Sequence, residues 1–543
     1  MYFDPQPFNF SDSLQFWGMN FGAVLALVFG TAFLLSVILN GGKGVAYFFR
    51  EVWGGIDDLI HISPRRVWAL TRLTMKESIR RKTLMVIVVF GICFLFAGWF
   101  LSSSRDPSVA ASAGEGGTQI DVMNVYVSFV LTAISYLILP AVFILACWTI
   151  PDDIKIRSMH TVVTKPVRRV EVYIGRILGI TLVGTGVVVL MGLVGYFWLA
   201  RSLQPEAAAG KLVARVPLYG TFGFLGTDGK PADKGVNTGD IWEYRSYIEG
   251  NTRSRAVWNF ENVVPRGSTK ALRLESNIQV FRTLKGDVGQ GVLCQLSFIN
   301  PKTDARASYR PFPIKEFRTQ IIEIGPGDLF NDQNEPVDLF ADLVDKGNLR
   351  VEAACLSRQQ YLGMARPDLF IRNQDARFEA GFAKAVFGIW EMMFMLIITG
   401  VTASCFVKGP VATLLSLTIV IIGQAARSFL IDLVDNDQLK TLGGPLESSY
   451  RIVMHMNPAE ELPAGIWTTI TLGIDSVFKQ GVTSVRYIFP NFEYFDLAPY
   501  IANGYDVPWD SALLPGIATI VAYLIPCIII GLLSLKLREL EAK

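Results

Sequence analysis

The sequence predicts a mainly α-helical polytopic membrane protein with about seven transmembrane helices and an inserted β-rich, sandwich- or jelly-roll-like extracytoplasmic domain. Three observations predict it. Of 543 residues, 51% are hydrophobic and only 18% charged, with a mean hydropathy of +0.36; a soluble chain of this size carries more surface charge. Apolar runs near the length needed to cross a bilayer, roughly 20 residues, recur at 16–39, 84–101, 122–150, 177–200, 385–407, 411–434 and 513–535. Finally, the basic residues fall in alternate connections between those runs.

That alternation orients the chain. Between the first two runs lie Lys43, Arg50, Arg65, Arg66, Arg72, Lys76, Arg80, Arg81 and Lys82. The next connection on the same side holds Lys155, Arg157, Lys165, Arg168, Arg169 and Arg176. Lys408-Gly409-Pro410 makes a tight turn on that side, and the tail holds Lys536, Arg538 and Lys543. By the positive-inside rule these belong in the cytoplasm, so the N-terminus lies outside and the C-terminus inside. The first fifteen residues carry no Lys or Arg, unlike the opening of a cleavable signal peptide.

Region 1–62 is read as an extra transmembrane helix and a cytoplasmic linker. Region 63–200 opens with Ser63-Pro64, a helix start signal. From Arg65 to Lys82 the cations gather mostly on one face, with Val67, Trp68, Thr71, Met75 and Ile79 on the other. Such a helix lies in the membrane interface; the alternative is a plain basic loop.

Region 201–384 is long enough for a domain and rich in turn residues. Residues 271–284, 291–299 and 315–324 read as strands, the first by its alternation. Region 385–543 holds the last three runs and an external loop at 435–510. Within it, 464–480 is apolar but interrupted by Asp475 and Lys479, and is read as an amphipathic helix on the outer surface.

Cys93, Cys147, Cys405 and Cys527 sit in apolar runs, where a thiol behaves as a small hydrophobe. Cys294 and Cys355 lie in the β-rich region, either as a disulfide in an oxidising compartment or as two buried thiols. Glu391 and Arg427 are charged residues inside the runs. Being on helices joined by a tight turn, they either form an intramembrane ion pair, or Arg427 snorkels outward, toward Asp432.

Catalytic motifs are missing. No phosphate loop, G-x-S-x-G elbow or H-E-x-x-H pair occurs, and the three histidines, His61, His160 and His455, lie far apart. No catalytic, cofactor or metal site is expected. The net charge of +2 identifies no partner, and no nucleic acid is expected.

The most informative stretch runs from Ile150 to Arg176. Asp152-Asp153 follows an apolar run; then come Arg157, Thr161, Thr164-Lys165-Pro166, Arg168 and Gly175-Arg176. This resembles the first intracellular loop of type-2 ABC transporter permeases. The stretch around Leu73–Glu77 and Arg80–Lys82 resembles that family's opening interfacial helix. Phe489–Asp496, Gly504 and Pro508-Trp509 resemble the subgroup of nitrous-oxide-reductase maturation and gliding-motility permeases. The likeness covers roughly 64–200 and 385–543; the span at 16–39 and the block 201–384 are additions to its six-span core.

The resemblance implies a permease subunit, not an enzyme, in a homodimer or heterodimer within the inner membrane lipid. A separate ABC ATPase subunit would bind the ATP. Asp152, Asp153, Arg157, Thr161, Thr164, Lys165, Pro166 and Arg168 would then form the loop coupling to that ATPase. Export is the expected direction. Two rivals remain: a non-transporting complex that passes ATPase strokes to the outer domain, and a membrane-anchored binding module.

Overall fold

A computed structural model describes residues 8–80, 85–100, 107–155, 167–203, 212–232, 234–236, 245–265, 271–282, 291–314, 319–372, 375–426, 444–456, 462 and 465–540. The helices are α1 (Phe10–Asn40), α2 (Gly44–Ile60), α3 (Pro64–Arg80), α4 (Met85–Phe100), α5 (Pro107–Lys155) and α6 (Arg169–Ser202). After the β-rich region follow α7 (Phe378–Phe406), α8 (Gly409–Ile421), α9 (Pro445–Met454), α10 (Ile466–Ile488), α11 (Ala498–Ala502) and α12 (Leu514–Leu540).

Four helical stretches are long and apolar enough to cross a membrane: Met123–Lys155, Arg169–Ser202, Phe378–Phe406 and Trp509–Leu535. The other three expected runs fall on α1, α4 and α8. The last two are short: α4 has 16 residues and α8 has 13 before a π turn at Ile422–Ala426. α5 also begins earlier than expected, at Pro107, so that helix occupies much of the anticipated connection around Arg105.

α5, α6, α7 and α12 pack together. Their core includes Val127, Ile134, Ile138, Met191, Met393, Ile397 and Leu513. Glycines set the closeness of approach. A Cβ on Gly184 would lie 2.5 Å from the Met393 sulfur, and one on Gly400 3.0 Å from Ala146 Cβ. Small residues at such crossings let apolar helices gain dispersion contacts where water offers no drive to associate.

α3 forms where Ser63-Pro64 predicts a helix start. Val67, Thr71, Thr74 and Ser78 are buried, whereas Trp68 is 59% and Ile79 46% exposed. The buried stripe meets α6 at Gly175 and Gly179. A Cβ there would come within 2.7 Å of Leu70 Cβ and 2.4 Å of Thr74 Cβ. Spacing of i, i+4, i+7 and i+11 puts those four α3 residues on one face. Their small size matters more than their polarity.

The inserted region spans strands from Val213–Ala214 to Ala376–Arg377. Among the described residues its strand pairs are antiparallel, in sheets of nine, four, three and two strands. Trp258, Phe298, Leu274, Leu369, Ile248 and Leu362 come from the three larger sheets and share one apolar core. The expected strand at 271–284 is two strands, Leu272–Ser276 and Gln279–Arg282, which join different sheets. The expected strand at 315–324 is ordered as Gln320–Ile324, and 315–318 lie outside the described residues.

The amphipathic reading of 464–480 holds for α10, with Ile466, Trp467, Ile470, Ile474 and Val477 exposed. Asp475 does not face solvent, however. Its carboxylate accepts from Leu446 N at 3.1 Å and Glu447 N at 2.8 Å, capping α9. An anion there satisfies free N–H groups at the positive end of a helix.

Candidate functional site

Among the described residues, the two flanks of the 150–176 stretch carry a network of charged side chains. Four segments meet there: α2, α3, the end of α5 and the start of α6. Arg168 precedes the first turn of α6, and its backbone N–H donates to Glu171 Oε2 at 3.0 Å. Its guanidinium reaches α2, donating to Asp57 O at 2.7 Å, Asp57 Oδ2 at 3.0 Å and Asp58 Oδ1 at 3.1 Å. The hydrogen bond from Arg168 is the main reason the Asp57 carboxyl is held below its ordinary pKa.

Glu171 is buried and ties α6 to α3. Its Oε1 accepts from Ser63 N at 2.8 Å and Arg66 Nε at 3.0 Å, and lies 2.8 Å from Arg66 Nη2. Five residues on, buried Arg176 joins Asp153 Oδ2 at 2.5 Å, donates to Thr74 Oγ1 at 3.3 Å and pairs with Glu77. Gly175 and Gly179 bring α3 close enough for these contacts. Buried pairs of this kind hold their geometry because breaking one strands a charge away from water.

The expected loop residues divide accordingly. Asp152 and Asp153 end α5, and Asp153 enters the network. Arg168 enters it from the other flank. Arg157, Thr161, Thr164, Lys165 and Pro166 lie outside the described residues. Sequence reading missed Glu77, Glu171, Asp57 and Asp58 as partners. The Gly175-x-x-x-Gly179 spacing opposite the small residues of α3 was the available signal.

A second charged junction joins the β-rich region to the helices. Arg215 Nη1 meets buried Glu275 Oε2 at 2.5 Å, and Arg372 Nη1 donates to Glu275 Oε1 at 3.0 Å. Arg215 also donates to Gly504 O at 3.3 Å and to Asn503 O, and lies 4.3 Å from the Tyr505 ring centroid. The backbones pair too: Arg215 N to Gly504 O and Asp506 N to Arg215 O, both 2.8 Å. Gly504 adopts φ +74°, a conformation that suits glycine. Lys384 of α7 completes the junction with Asp506 at 2.9 Å.

Thus the 489–509 stretch, singled out for its resemblance, is a structural element. Phe492, Phe495, Leu497 and Ile501 are buried in the helical core, and its end holds the β-rich region.

Glu391 sits midway along α7 with no solvent exposure, facing α12: a Cβ on Gly516 would lie 2.4 Å from its Oε2. Arg427 lies outside the described residues. Cys294 and Cys355 are free thiols directly opposite one another on neighbouring strands. Leu356 N donates to Leu293 O at 2.9 Å, so the cysteines occupy the adjacent, non-hydrogen-bonded position, where side chains are closest. Burial pushes the Cys355 thiol up to about 11 and Cys294 higher still, which disfavours the reactive thiolate. Among the described residues, no cluster of three His, Cys, Asp or Glu side chains is placed to hold a metal.

Fold and junctions together define a helical protein with four potential membrane-crossing helices and an inserted antiparallel β region. No family model, curated protein or solved structure matches the chain.

Proposed function

We propose that this chain is the membrane-spanning permease subunit of an ABC transporter, exporting its cargo from the cytoplasm at the expense of ATP hydrolysed by a separate subunit. In this reading seven helices cross the inner membrane, the N-terminus and β-rich domain lie outside, and the C-terminus lies inside. Permeases pair as a homodimer or heterodimer.

The observation that carries the reading is the clamp at the two flanks of the 150–176 stretch. A loop that receives force must be rigidly anchored at both ends, and here Asp153 is tied to α6 through Arg176, which also holds α3, and Arg168 is tied to α2. A push on the loop would move α3, α5 and α6 as one body, the rigid-element motion that alternating access requires. The resemblance of the same stretch to the first intracellular loop of type-2 ABC permeases is what led to this assignment.

Tagged full-length chain, purified from native membranes in mild detergent, should retain an ABC ATPase. Lys165→Glu should weaken that association while leaving the chain folded. Asp153 is unsuitable for this test, because its charge is committed to Arg176. Finding no ATPase on the wild-type chain would defeat the proposal.

A second reading has its own support. The Arg215–Glu275–Arg372 junction fastens the outer domain to the helices, as a device passing ATPase strokes to an extracytoplasmic partner would need. ATP-dependent movement of cargo into inverted vesicles separates the two.

A further inference from the structure

Seven acidic side chains among the described residues are buried below a tenth exposed: Asp153, Glu171, Glu275, Glu352, Asp368, Asp475 and Glu391. Six have clear counter-charges or donors. Asp153 has Arg176, Glu171 has Arg66, and Glu275 has Arg215 and Arg372. Glu352 has Arg306 and Arg350, Asp368 has Arg245, and Asp475 caps α9. Glu391 departs from the pattern: neither carboxyl oxygen has a hydrogen-bond partner among the described residues.

Its surroundings explain why. The carboxyl lies against the α12 backbone at Gly516, which leaves the space it fills. One turn back on α7, Gly388 receives Leu497 and the Phe495 carbonyl, so the 489–509 segment covers the approach. No ionisable group acts on Glu391 from these elements. On α7, Lys384 is held by Asp506, and Glu379 lies three turns away beside Tyr196. Tyr523 and Cys527 are two and three turns beyond Gly516 on α12. Glu493 and Asp496 flank Phe495 in the covering segment. α8 carries no charged residue, α5 carries none between Asp121 and Asp152, and α6 none between Arg176 and Arg201. An ionised carboxylate moved to such a place costs several kcal/mol; a buried acid without a partner takes up a proton instead.

We propose that Glu391 is a proton-binding site, neutral while α7 and α12 are closed together and deprotonated when they part. Separation of the two helices would bring water to the carboxyl and stabilise its charged form. Proton binding therefore favours the closed arrangement, and rising pH favours the open one. The ligand is a proton alone. The inference uses the α7–α12 contact and requires no ATPase, so it stands or falls apart from the permease reading.

Infrared difference spectroscopy on full-length chain in lipid nanodiscs tests it. At neutral pH the wild type should show the C=O stretch of a protonated carboxyl in a dry site, shifted on exchange into D2O. That band should vanish in Glu391→Gln and persist in Glu379→Gln and Arg427→Met. If Glu391→Gln leaves the band unchanged, or if the band emerges only when Arg427 is replaced, Glu391 is not the neutral acid; the second result would make it the ion-pair partner of Arg427. Glutamine copies the neutral acid's shape, so a Glu391→Gln chain that fails to fold also overturns the proposal. Hydrogen-exchange protection factors along 514–526, which correct for the intrinsic rise of amide exchange with pH, should fall with pH in the wild type and stay constant in Glu391→Gln; an equal fall in both would remove the link to helix opening.

Discussion

Arg176 shows how one side chain connects the charge network to the packing. It is buried where α3, α5 and α6 converge, and it bonds Asp153, Glu77 and Thr74 at once. Removing one partner of a buried pair leaves the other charge uncompensated, at about 3–5 kcal/mol. Asp153→Ala should fall near the low end, about 3 kcal/mol, because Glu77 stays in contact. Chemical denaturation in detergent would measure it, and Asp153→Ala with Arg176→Met together should cost less than the sum of the two. By contrast, Arg273–Glu323 is an exposed pair. Its loss should change stability by about 0–1 kcal/mol, which supplies an internal control for the same assay.

At the scale of elements, the α3–α6 contact rests on missing side chains. Gly179 has Thr74 Cβ at 2.4 Å and the Thr71 carbonyl at 2.9 Å from where a Cβ would be. Gly186, two turns along the same helix, has open space there. Gly179→Val should therefore force α3 away from α6 and cost about 1–3 kcal/mol as overpacking does, while Gly186→Val should be nearly neutral. Thermal unfolding of the two variants side by side reads the difference. Equal melting points would mean that α3 is not seated on α6 in solution. Because Arg66 and Glu77 sit on α3 and their partners on α6, displacement would also break the clamp that the proposed coupling needs.

Over the whole molecule, the question is whether the β-rich region moves with the helices. The chain passes from Ala376–Arg377 straight into α7, and the junction at Arg215 locks the same region to the segment leading into α12. Arg215→Met removes the bonds to Glu275, Gly504 and Asn503 together. Hydrogen exchange should then increase at 213–218 and 500–508, with helix content unchanged. Protection that remains at the wild-type level would show that backbone pairing alone holds the region in place.

Apolar run length, charge alternation and strand periodicity are properties of neighbouring residues. They were enough for the long helices near 122–150, 177–200, 385–407 and 513–535, for the helix beginning at Ser63-Pro64 and for an inserted β region. The partnerships of Glu171, Arg176 and Glu275 were not legible, because their partners are 108, 99 and 60 residues away. The face of α3 that packs on α6 was not legible, since that contact selects for small size rather than polarity. Asp475 read as a polar interruption and became a helix cap only once α9 was placed beside it. Local pattern determined which segments are apolar, basic or extended. Tertiary structure alone decided which charges meet and which one, Glu391, is left with no described partner, because burial and proximity depend on contacts between segments remote in the chain.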